Sequence, residues 1–376
     1  MSISMSDDAF QLDPVDDAIA AIADGAMVVV VDDDDRENEG DLIMAASKAT
    51  PEQMGFIVRH TSGIVCAPIT AEEARRLHLA PMVADNDAPM STAFTVSVDY
   101  RQGLTTGISA EERCNTVRAL ANGNVQAADF VRPGHVFPLI AKRGGVLMRS
   151  GHTEAAVDLA KLAKLPPVGV IGELVNDDGT VKKGADVYQF ARDHGLKIIS
   201  VNDMIAYRQA QEKLVERRSE FTVPMPIGEA QGIAYATPFD AMQHLAIVYG
   251  GVGDGRNVPV RLHREDLVED VFGGRETLNS VYEWFEREGR GVLVYLRTGA
   301  SGVPAETFGS DEPKPDENHE SVHAREAAWR DIGLGAQILR DLNVTSIRLL
   351  ATRDRHYVGL AGFGIEIDET ELIENE

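Results

Sequence analysis

The chain has little of several residue types. It contains two cysteines, Cys66 and Cys114, and two tryptophans among 376 residues. Two cysteines exclude a disulfide framework and a cysteine-rich zinc site. No stretch approaches the ~18 consecutive apolar residues of a membrane-spanning helix, and the N-terminus M-S-I-S-M-S-D-D lacks the basic and apolar regions of a signal peptide. We therefore expect a cytoplasmic protein with reduced thiols and no membrane association.

Basic residues are also scarce. There are 36 Lys and Arg against 60 Asp and Glu, which gives a formal net charge of -24 at pH 7. Phosphate backbones are bound by basic surfaces, so this balance argues against general nucleic-acid binding. A small anionic substrate is still compatible with this acidic charge balance if a local Arg or Lys pocket outweighs the negative potential of the whole protein. The length allows two domains, each with its own hydrophobic core.

The clearest local pattern is the acidic stretch from Asp32 to Asp41, D-D-D-D-R-E-N-E-G-D, with seven acidic residues in ten. It follows the apolar run Val28 to Val31, which predicts a strand. A strand ending at a sheet edge would gather these carboxylates, and such oxygens suit Mg²⁺ or Mn²⁺. Arg36 adds a guanidinium for a phosphate or hydroxyl-rich substrate. A solvated acidic turn is the alternative interpretation.

Three further side chains stand out in their local patterns. In R-P-G-H, Pro133 and Gly134 predict a turn that presents His135, although a lone histidine in a turn is usually a surface residue. Cys66 lies in a predicted buried strand and is either a small core residue or a thiol that contacts substrate. Glu173 is the one acid in the apolar run G-V-I-G-E-L-V, so burial would make it a general acid or base candidate.

The segment G-G-V-L-M-R-S-G-H-T-E predicts an anion site. Val146 to Met148 predicts a short strand, Arg149 to Thr153 a tight loop, and a helix follows. A helix N-terminus with unpaired N–H groups binds anions, and Arg149 offers a bidentate partner for phosphate. His152 in this loop either completes a metal site begun in the acidic stretch or only caps the helix.

Together, several blocks resemble 3,4-dihydroxy-2-butanone 4-phosphate synthase of riboflavin biosynthesis over roughly residues 12 to 212. The blocks are D-D-R-E-N-E-G-D, S-G-I-V-C, T-T-G-I-S-A, R-P-G-H-V-F-P-L, G-G-V-L-x-R-x-G-H-T-E and G-E-L-V-N-D-D-G-T. The resemblance implies a lyase that converts D-ribulose 5-phosphate to L-3,4-dihydroxy-2-butanone 4-phosphate and formate. It also implies Mg²⁺ or Mn²⁺ as cofactor and active sites shared across a homodimer.

The resemblance assigns expected roles to residues of the matching motifs. The implied metal ligands are Glu37 and His152. The candidates for catalysis are His135, Glu173, Asp41 and Glu39, and the first proton acceptor stays open between Asp41, Glu39 and another group. The expected substrate contacts are Arg36, Glu37, Asp41, Cys66, Thr106, Arg149, Ser150, Gly151, His152 and Thr153. Ser150 stands where the family usually has glycine. This change is small and should preserve the loop whose backbone N–H groups would surround the phosphate.

From about Glu229 to residue 368, the chain resembles GTP cyclohydrolase II, in segments such as Q-H-L-A-I-V-Y-G-G-V-G-D-G and I-G-L-G-A-Q-I-L-R-D-L. The three zinc cysteines of that family fall on Asp266, Thr277 and Asn279, which cannot form a thiolate site. We therefore expect no zinc and a degenerate, catalytically inactive domain. Folding, dimerisation, regulation or contact with another pathway enzyme would be its role.

The expected fold is mixed α/β (α+β). A synthase domain would cover residues 1–212, a linker 213–228, and a GTP cyclohydrolase II-like α/β domain 229–376. The leading expectation is a metal-dependent lyase with an inactive second domain. One alternative is a bifunctional enzyme, which stoichiometric zinc would support. The other is a catalytically silent scaffold, which would bind a pathway enzyme without turning over ribulose 5-phosphate.

Overall fold

The computed structural model describes residues 11–32, 38–88, 92–237, 242–273, 275–297, 333–352 and 365–373. The chain divides into two units, Met1–Tyr207 and Arg208–Glu376. Each unit contains one seven-stranded sheet with parallel and antiparallel pairs. The predicted mixed α/β class is thereby confirmed. Within the described ranges, no helix is both long enough and apolar enough to cross a membrane.

The first unit is built on a sheet with the strand order β4-β5-β3-β6-β2-β1-β7. Its strands are β1 (Val28–Val31), β2 (Gly40–Ala45), β3 (Cys66–Ile69), β4 (Val98–Tyr100), β5 (Phe130–Ile140), β6 (Gly169–Glu173) and β7 (Lys197–Ser200). Its helices are α1 (Val15–Asp24), α2 (Pro51–His60), α3 (Ala71–Arg76), α4 (Ala110–Leu120), α5 (His152–Leu162), α6 (Ala185–Asp193) and α7 (Val201–Gln211). Short 3₁₀ helices cover Ala46–Lys48, Ala127–Asp129 and Gly145–Leu147.

The core of this unit follows from its apolar patterns. The β-branched valines of β1 suit a pleated strand, and Val28, Val29 and Val30 are fully buried. Strand β1 pairs antiparallel with β2 and parallel with β7. Helix α5 contacts β2 and β6, and its residues from His152 to Ala160 are all buried. The helix therefore lies within the core, with its N-terminus held in a fixed position.

Helices α2 and α4 each begin with a capping box. The Thr50 hydroxyl accepts the Gln53 backbone N–H at 3.2 Å, and the Gln53 side chain accepts the Thr50 N–H at 3.1 Å. Ser109 and Glu112 form the same reciprocal capping box at the start of α4. Each box satisfies donors that a helix start otherwise leaves unpaired.

Two local predictions are wrong. Val146 to Met148 is not a strand, because Gly144 and Gly145 both have positive φ angles, 100° and 64°, and turn the chain into a 3₁₀ helix. The Val146 N–H donates to the buried Asp158 carboxylate at 2.8 Å, which fixes this turn. Pro133 and Gly134 do not form a turn between elements either. They lie inside β5, at an irregularity of its pairing with β4.

The second unit has the strand order β14-β13-β11-β12-β10-β9-β8. Its strands are β8 (Glu216–Met225), β9 (Gly228–Ala236), β10 (Gln243–Tyr249), β11 (Val258–Arg264), β12 (Gly291–Leu296), β13 (Ser346–Ala351) and β14 (Glu366–Leu372). Its helices are a π-helix at Val268–Phe272, α8 (Glu276–Glu288) and a segment at 333–341. One cluster around Val260 and Val294 and another around Phe285 form its core.

Strand β8 corrects the predicted linker. It lies within residues 213–228 and pairs antiparallel with β9 from Glu216↔Ala236 to Met225↔Gly228. Most of its side chains are exposed, so it lacks the alternation that identifies a half-buried strand in sequence. Charged residues on an edge strand are a common protection against strand-to-strand association.

Candidate active site

The site is built from strand ends and the N-terminus of α5. Antiparallel pairing of β2 with β6 places Asp41 directly opposite Glu173. A cavity of about 150 Å³ is lined by Asp41, Ser62, Ile64, Cys66, Thr92, Phe94, Leu139, Arg149, His152, Thr153, Ile171, Gly172 and Glu173. Six of these were predicted from the sequence: Asp41, Cys66, Arg149, His152, Thr153 and Glu173. The fold thus joins four separate sequence motifs at one place.

The structure describes only the two ends of the acidic stretch from Asp32 to Asp41. Arg36 and Glu37 lie outside the described residues. Asp32 and Glu39 hold the ends together, because the Glu39 N–H donates to the Asp32 carboxylate at 2.9 Å. Lys183 Nζ lies 3.5 Å from the Glu39 carboxylate. Burial raises the pKa of Glu39, and the negative charge of Glu173 raises it further. Glu39 is therefore electrostatically coupled to a carboxylate that lines the cavity.

Asp41 and His152 lie close to each other in the lining of the cavity. Both are buried, and His152 Nδ1 lies 3.9 Å from an Asp41 carboxylate oxygen. Glu173, in contrast, is exposed at the end of β6, so the sequence-based expectation of a buried acid is wrong. The apolar run is buried up to Gly172, and Glu173 ends β6 at the cavity, which Ile171 and Gly172 also line.

The cavity is lined by carboxylate and imidazole groups, which are chemical types that bind divalent cations such as Mg²⁺ and Mn²⁺. Asp41 and Glu173 supply oxygen atoms, and His152 supplies a ring nitrogen. Among the described residues, no group of three or more such side chains is arranged to hold a metal ion. The predicted ligand Glu37 lies outside those residues. The chemistry of the donor set is compatible with a hard divalent cation.

The loop before α5 has the features of an anion site. Gly151 is the N-cap residue of α5, and Ser150 and Thr153 are buried beside it. Arg149 donates to the buried Glu154 carboxylate at 2.8 Å, and Glu154 also accepts the Lys142 N–H at 2.9 Å. Burial raises the pKa of Glu154, and the charge of Arg149 opposes this shift. Arg149 is thus held at the cavity, next to a helix N-terminus that favours negative charge.

Cys66 is compatible with both interpretations of its sequence pattern, a small core residue and a thiol at the substrate site. Its side chain is buried in the sheet, between Phe137 and Ile171, and it also lines the cavity. Burial raises the pKa of its thiol to about 12, and the charges of Asp41 and Glu173 contribute to this shift. A thiol in this state is neutral at pH 7, so Cys66 contributes shape and not a thiolate nucleophile.

His135 and Thr106 are not among the residues that line the cavity. Thr106 is exposed in the segment before α4. His135 lies on β5, four residues from the cavity-lining Leu139, which corresponds to about 13 Å along a strand. Its ring Nδ1 contacts the Asp99 carboxylate at 2.7 Å. Within one copy of the chain, these two candidates therefore do not line the cavity.

Sequence reasoning missed two buried acids that support the site. Glu154 holds Arg149, and Asp99 holds His135. The five-residue spacing from Arg149 on a predicted helix start was a usable signal for Glu154. Asp99 had none, because its contact depends on pairing between β4 and β5.

In the second unit, Asp266, one of the three positions expected from the sequence to correspond to zinc cysteines, stabilises local structure. An Asp266 carboxylate oxygen accepts the N–H groups of Val268 and Glu269, both at 3.1 Å, at the start of the π-helix. Nearby, the buried Asp270 carboxylate contacts His263 Nε2 at 2.9 Å and accepts the Tyr295 hydroxyl at 2.5 Å. Thr277 and Asn279 lie on α8.

Comparison with known families decides the classification of the first unit. A family model described as 3,4-dihydroxy-2-butanone 4-phosphate synthase matches residues 16–207. The chain belongs to the 3,4-dihydroxy-2-butanone 4-phosphate synthase family. It is an enzyme of riboflavin biosynthesis, as the resemblance implied. A second family model, GTP cyclohydrolase II, matches residues 216–372 and confirms the predicted likeness of the second unit.

Similar proteins include a riboflavin biosynthesis protein and two solved synthase structures. Riboflavin biosynthesis protein RibBA of Nocardia farcinica is 46% identical over 372 residues, 96% of this chain and 90% of that protein. The crystal structure of RibBX from A. baumannii, described as a two-domain 3,4-dihydroxy-2-butanone 4-phosphate synthase, is 36% identical. It covers 96% of this chain and 100% of its own, with a TM-score of 0.79. A synthase structure in complex with two magnesium ions is 46% identical, covers 53% of this chain and 98% of its own, and has a TM-score of 0.52.

Proposed function

We propose that this synthase converts D-ribulose 5-phosphate to L-3,4-dihydroxy-2-butanone 4-phosphate and formate, with Mg²⁺ or Mn²⁺. The observation that carries the proposal is the single cavity at which Asp41, Glu173 and His152 meet Arg149 and the N-terminus of α5. An anion site beside carboxylates and an imidazole fits a sugar phosphate whose carbon chain must be enolised and rearranged.

Each group at the cavity has a distinct chemical task in this proposal. Arg149 and the N–H groups at the start of α5 bind the phosphate and fix the distance to the carbon chain. Asp41 and Glu173, on neighbouring strands, remove and return protons along that chain. Burial and the negative charge of Glu173 raise the pKa of Glu39, so Glu39 holds a proton more tightly than an ordinary carboxyl group and is a third candidate for proton transfer.

Glu37 and His152 would hold the divalent cation. The bound cation would supply positive charge that stabilises negative charge developing on the substrate. His152 Nδ1 is 3.9 Å from Asp41, so the ligand and a proton-transferring carboxylate are neighbours. The related synthase crystallised with two magnesium ions supports the choice of metal.

We also propose that two copies of the chain share their active sites. His135 and Thr106 lie away from the cavity of their own copy, yet both belong to motifs of this family. A homodimer that places the His135 surface of one copy at the cavity of the other would complete the constellation.

For the second unit, we propose a domain that does not hydrolyse GTP. Both cysteines of the chain, Cys66 and Cys114, lie in the first unit, so no thiolate zinc site can form in the second. The match to the GTP cyclohydrolase II model keeps a bifunctional enzyme as the second candidate.

The lyase proposal is tested by formate release from ribulose 5-phosphate with Mg²⁺ and with excess chelator. Formate that appears only with the metal supports it, and no formate under either condition would refute it. The proposal for the second unit is tested by metal analysis and by GTP consumption of the same preparation. Less than a tenth of an equivalent of zinc and no GTP turnover are expected. Stoichiometric zinc with GTP turnover would establish the bifunctional enzyme.

A further inference from the structure

The motif G-E-L-V-N-D-D-G-T is only partly explained by the cavity. Its first two residues line the cavity, and the rest of the motif does not. Val175 forms an antiparallel bridge with Val181, and the Asn176 N–H donates to the Thr180 carbonyl oxygen at 2.7 Å. Gly179 takes a φ of 86°, which a tight turn of this kind allows to glycine at little cost. The motif therefore reverses the direction of the chain immediately after the cavity.

The reversed chain returns to the end of the acidic stretch. The Leu174 N–H donates to the Gly40 carbonyl oxygen at 2.9 Å, and the Lys182 N–H donates to the Leu174 carbonyl oxygen at 2.9 Å. Lys183 then forms an antiparallel bridge with Glu39. Its Nζ lies 3.5 Å from the Glu39 carboxylate, and the two side chains are 54% and 19% exposed. The turn thus places an ammonium group beside Glu39.

The backbone of Glu39 is fixed from two sides. On one side, its N–H donates to the buried Asp32 carboxylate at 2.9 Å, and its carbonyl oxygen accepts the Asp32 N–H at 3.3 Å. On the other side lies the bridge to Lys183. The next residue, Gly40, packs so closely on α6 that a Cβ atom there would lie 2.4 Å from a Val187 methyl group. The fold sets where Glu39 lies, and the ion pair with Lys183 acts on where its carboxylate points.

The Glu39 carboxylate also interacts with a charge of its own sign. The negative charge of Glu173 acts on it, and like charges repel. Lys183 is not among the residues that line the cavity, so it does not contact a substrate bound there. We propose that Lys183 is a positioning residue for Glu39, and that its ammonium group holds the Glu39 carboxylate in one orientation near Glu173. This inference rests on the proposed function, in which Glu39 is a candidate for proton transfer.

The first test compares two neighbouring lysines. Lys183→Gln removes the cation beside Glu39, whereas Lys182→Gln removes one whose Nζ donates to Asn176 Oδ1 at 2.7 Å. With ribulose 5-phosphate and Mg²⁺, Lys183→Gln should lower kcat by about tenfold or more with little change in KM, because a displaced catalytic group slows the reaction and not the binding. Lys182→Gln should keep kcat within about twofold. Equal kcat values for the two variants would overturn the inference.

A conservative replacement separates charge from a general structural effect. Lys183→Arg keeps a cation that can pair with a carboxylate, so it should recover most of the kcat lost in Lys183→Gln. Both variants should stay folded by circular dichroism, because a half-exposed ion pair contributes little to stability. A loss in Lys183→Arg as large as in Lys183→Gln would show that the ammonium charge is not what matters.

A double-mutant cycle tests whether Lys183 acts through Glu39. If it does, Lys183→Gln should cause no further loss of kcat in a Glu39→Gln background. A further loss by the same factor as in the parent protein would overturn the inference.

The last test does not depend on turnover. In ¹³C NMR of the full chain labelled at the glutamate carboxyl groups, the Glu39 signal is assigned as the one that Glu39→Gln removes. Lys183→Gln should shift this signal and Lys182→Gln should leave it in place. If the parent chain releases no formate, the proposed function fails, and this signal still decides whether Lys183 acts on Glu39. A Glu39 signal that is the same in the parent protein and in Lys183→Gln would overturn the inference.

Discussion

Asp41 lies directly opposite Glu173 in the antiparallel pairing of β2 with β6. Directly opposed residues of an antiparallel pair point to the same face of the sheet, with Cβ atoms about 4.5–5.5 Å apart. The two residues are far apart in sequence, yet this register brings two carboxyl groups to one cavity. His152 and Arg149 reach the same cavity from α5 and the loop before it.

Replacement of either carboxylate should therefore abolish most of the activity without unfolding the protein. We expect Asp41→Asn and Glu173→Gln each to lower kcat by about 10²- to 10⁴-fold, the range for loss of a general acid or base. The exposed Asp193 on α6, which does not line the cavity, provides a control for the loss of one negative charge. Activity of Glu173→Gln equal to that of Asp193→Asn would contradict the assignment.

The contact between Arg149 and Glu154 predicts a pH-dependent loss of stability. Removal of Arg149 leaves the Glu154 carboxyl buried without its cation, which should lower the free energy of unfolding by about 3 kcal/mol at pH 7. Burial already raises the pKa of Glu154 above its ordinary 4.5, and Arg149 opposes this shift. In Arg149→Ala the pKa of Glu154 in the native state should rise further. The native state should then bind the Glu154 proton more tightly than the unfolded chain does.

The stability of Arg149→Ala should accordingly fall as the pH rises above about 4.5. Urea denaturation at several pH values, monitored by circular dichroism, measures this slope. The matched control is the double variant Arg149→Ala/Glu154→Gln, in which the titrating group is gone and the additional slope should disappear. A slope that persists in the double variant would assign it to another group.

Cys66 should be dispensable as a nucleophile. A thiol with a pKa of about 12 is ionised in roughly one molecule in ten thousand at pH 8, so alkylation of the native protein should be slow. We expect Cys66→Ala to keep kcat within about tenfold, like Cys114→Ala, since Cys114 is also buried but does not line the cavity. Complete inactivation by Cys66→Ala alone, in a folded protein, would show that the thiol takes part in the reaction.

Shared active sites predict complementation between inactive variants. His135→Ala and His152→Ala should each be inactive, but a hybrid of the two contains one cavity with both histidines intact. After mixing under conditions that allow subunit exchange, about a quarter of the parental activity should return for a symmetric dimer. A monomer in sedimentation velocity, or no recovery despite proven exchange, would contradict the shared site.

Much of the local structure could be predicted from the residues themselves. The four valines of β1 and the capping residues Thr50 and Ser109 act through neighbouring backbone groups, so the sequence suffices to identify them. Arg149 and His152 were likewise placed at a helix start by local pattern. These features depend on contacts within a few residues, where sequence patterns are informative.

Features that depend on long-range pairing were not predictable. The exposure of Glu173 follows from where β6 ends against β2, and the 3₁₀ turn after Gly144 follows from a contact with Asp158. Strand β8 carries charged, exposed residues because it is an edge strand, so its sequence looked like a linker. In each case a tertiary contact overrides the local pattern.

The central claim is a lyase reaction at the cavity of Asp41, Glu173 and His152, and a time course by ¹H and ³¹P NMR tests it most directly. The full chain is incubated with ribulose 5-phosphate and Mg²⁺, beside the His152→Ala variant. We predict formate and a four-carbon phosphate ester in equal amounts from the parent chain and neither from the variant. No formate from the folded parent protein, or equal formation by His152→Ala, would contradict the account.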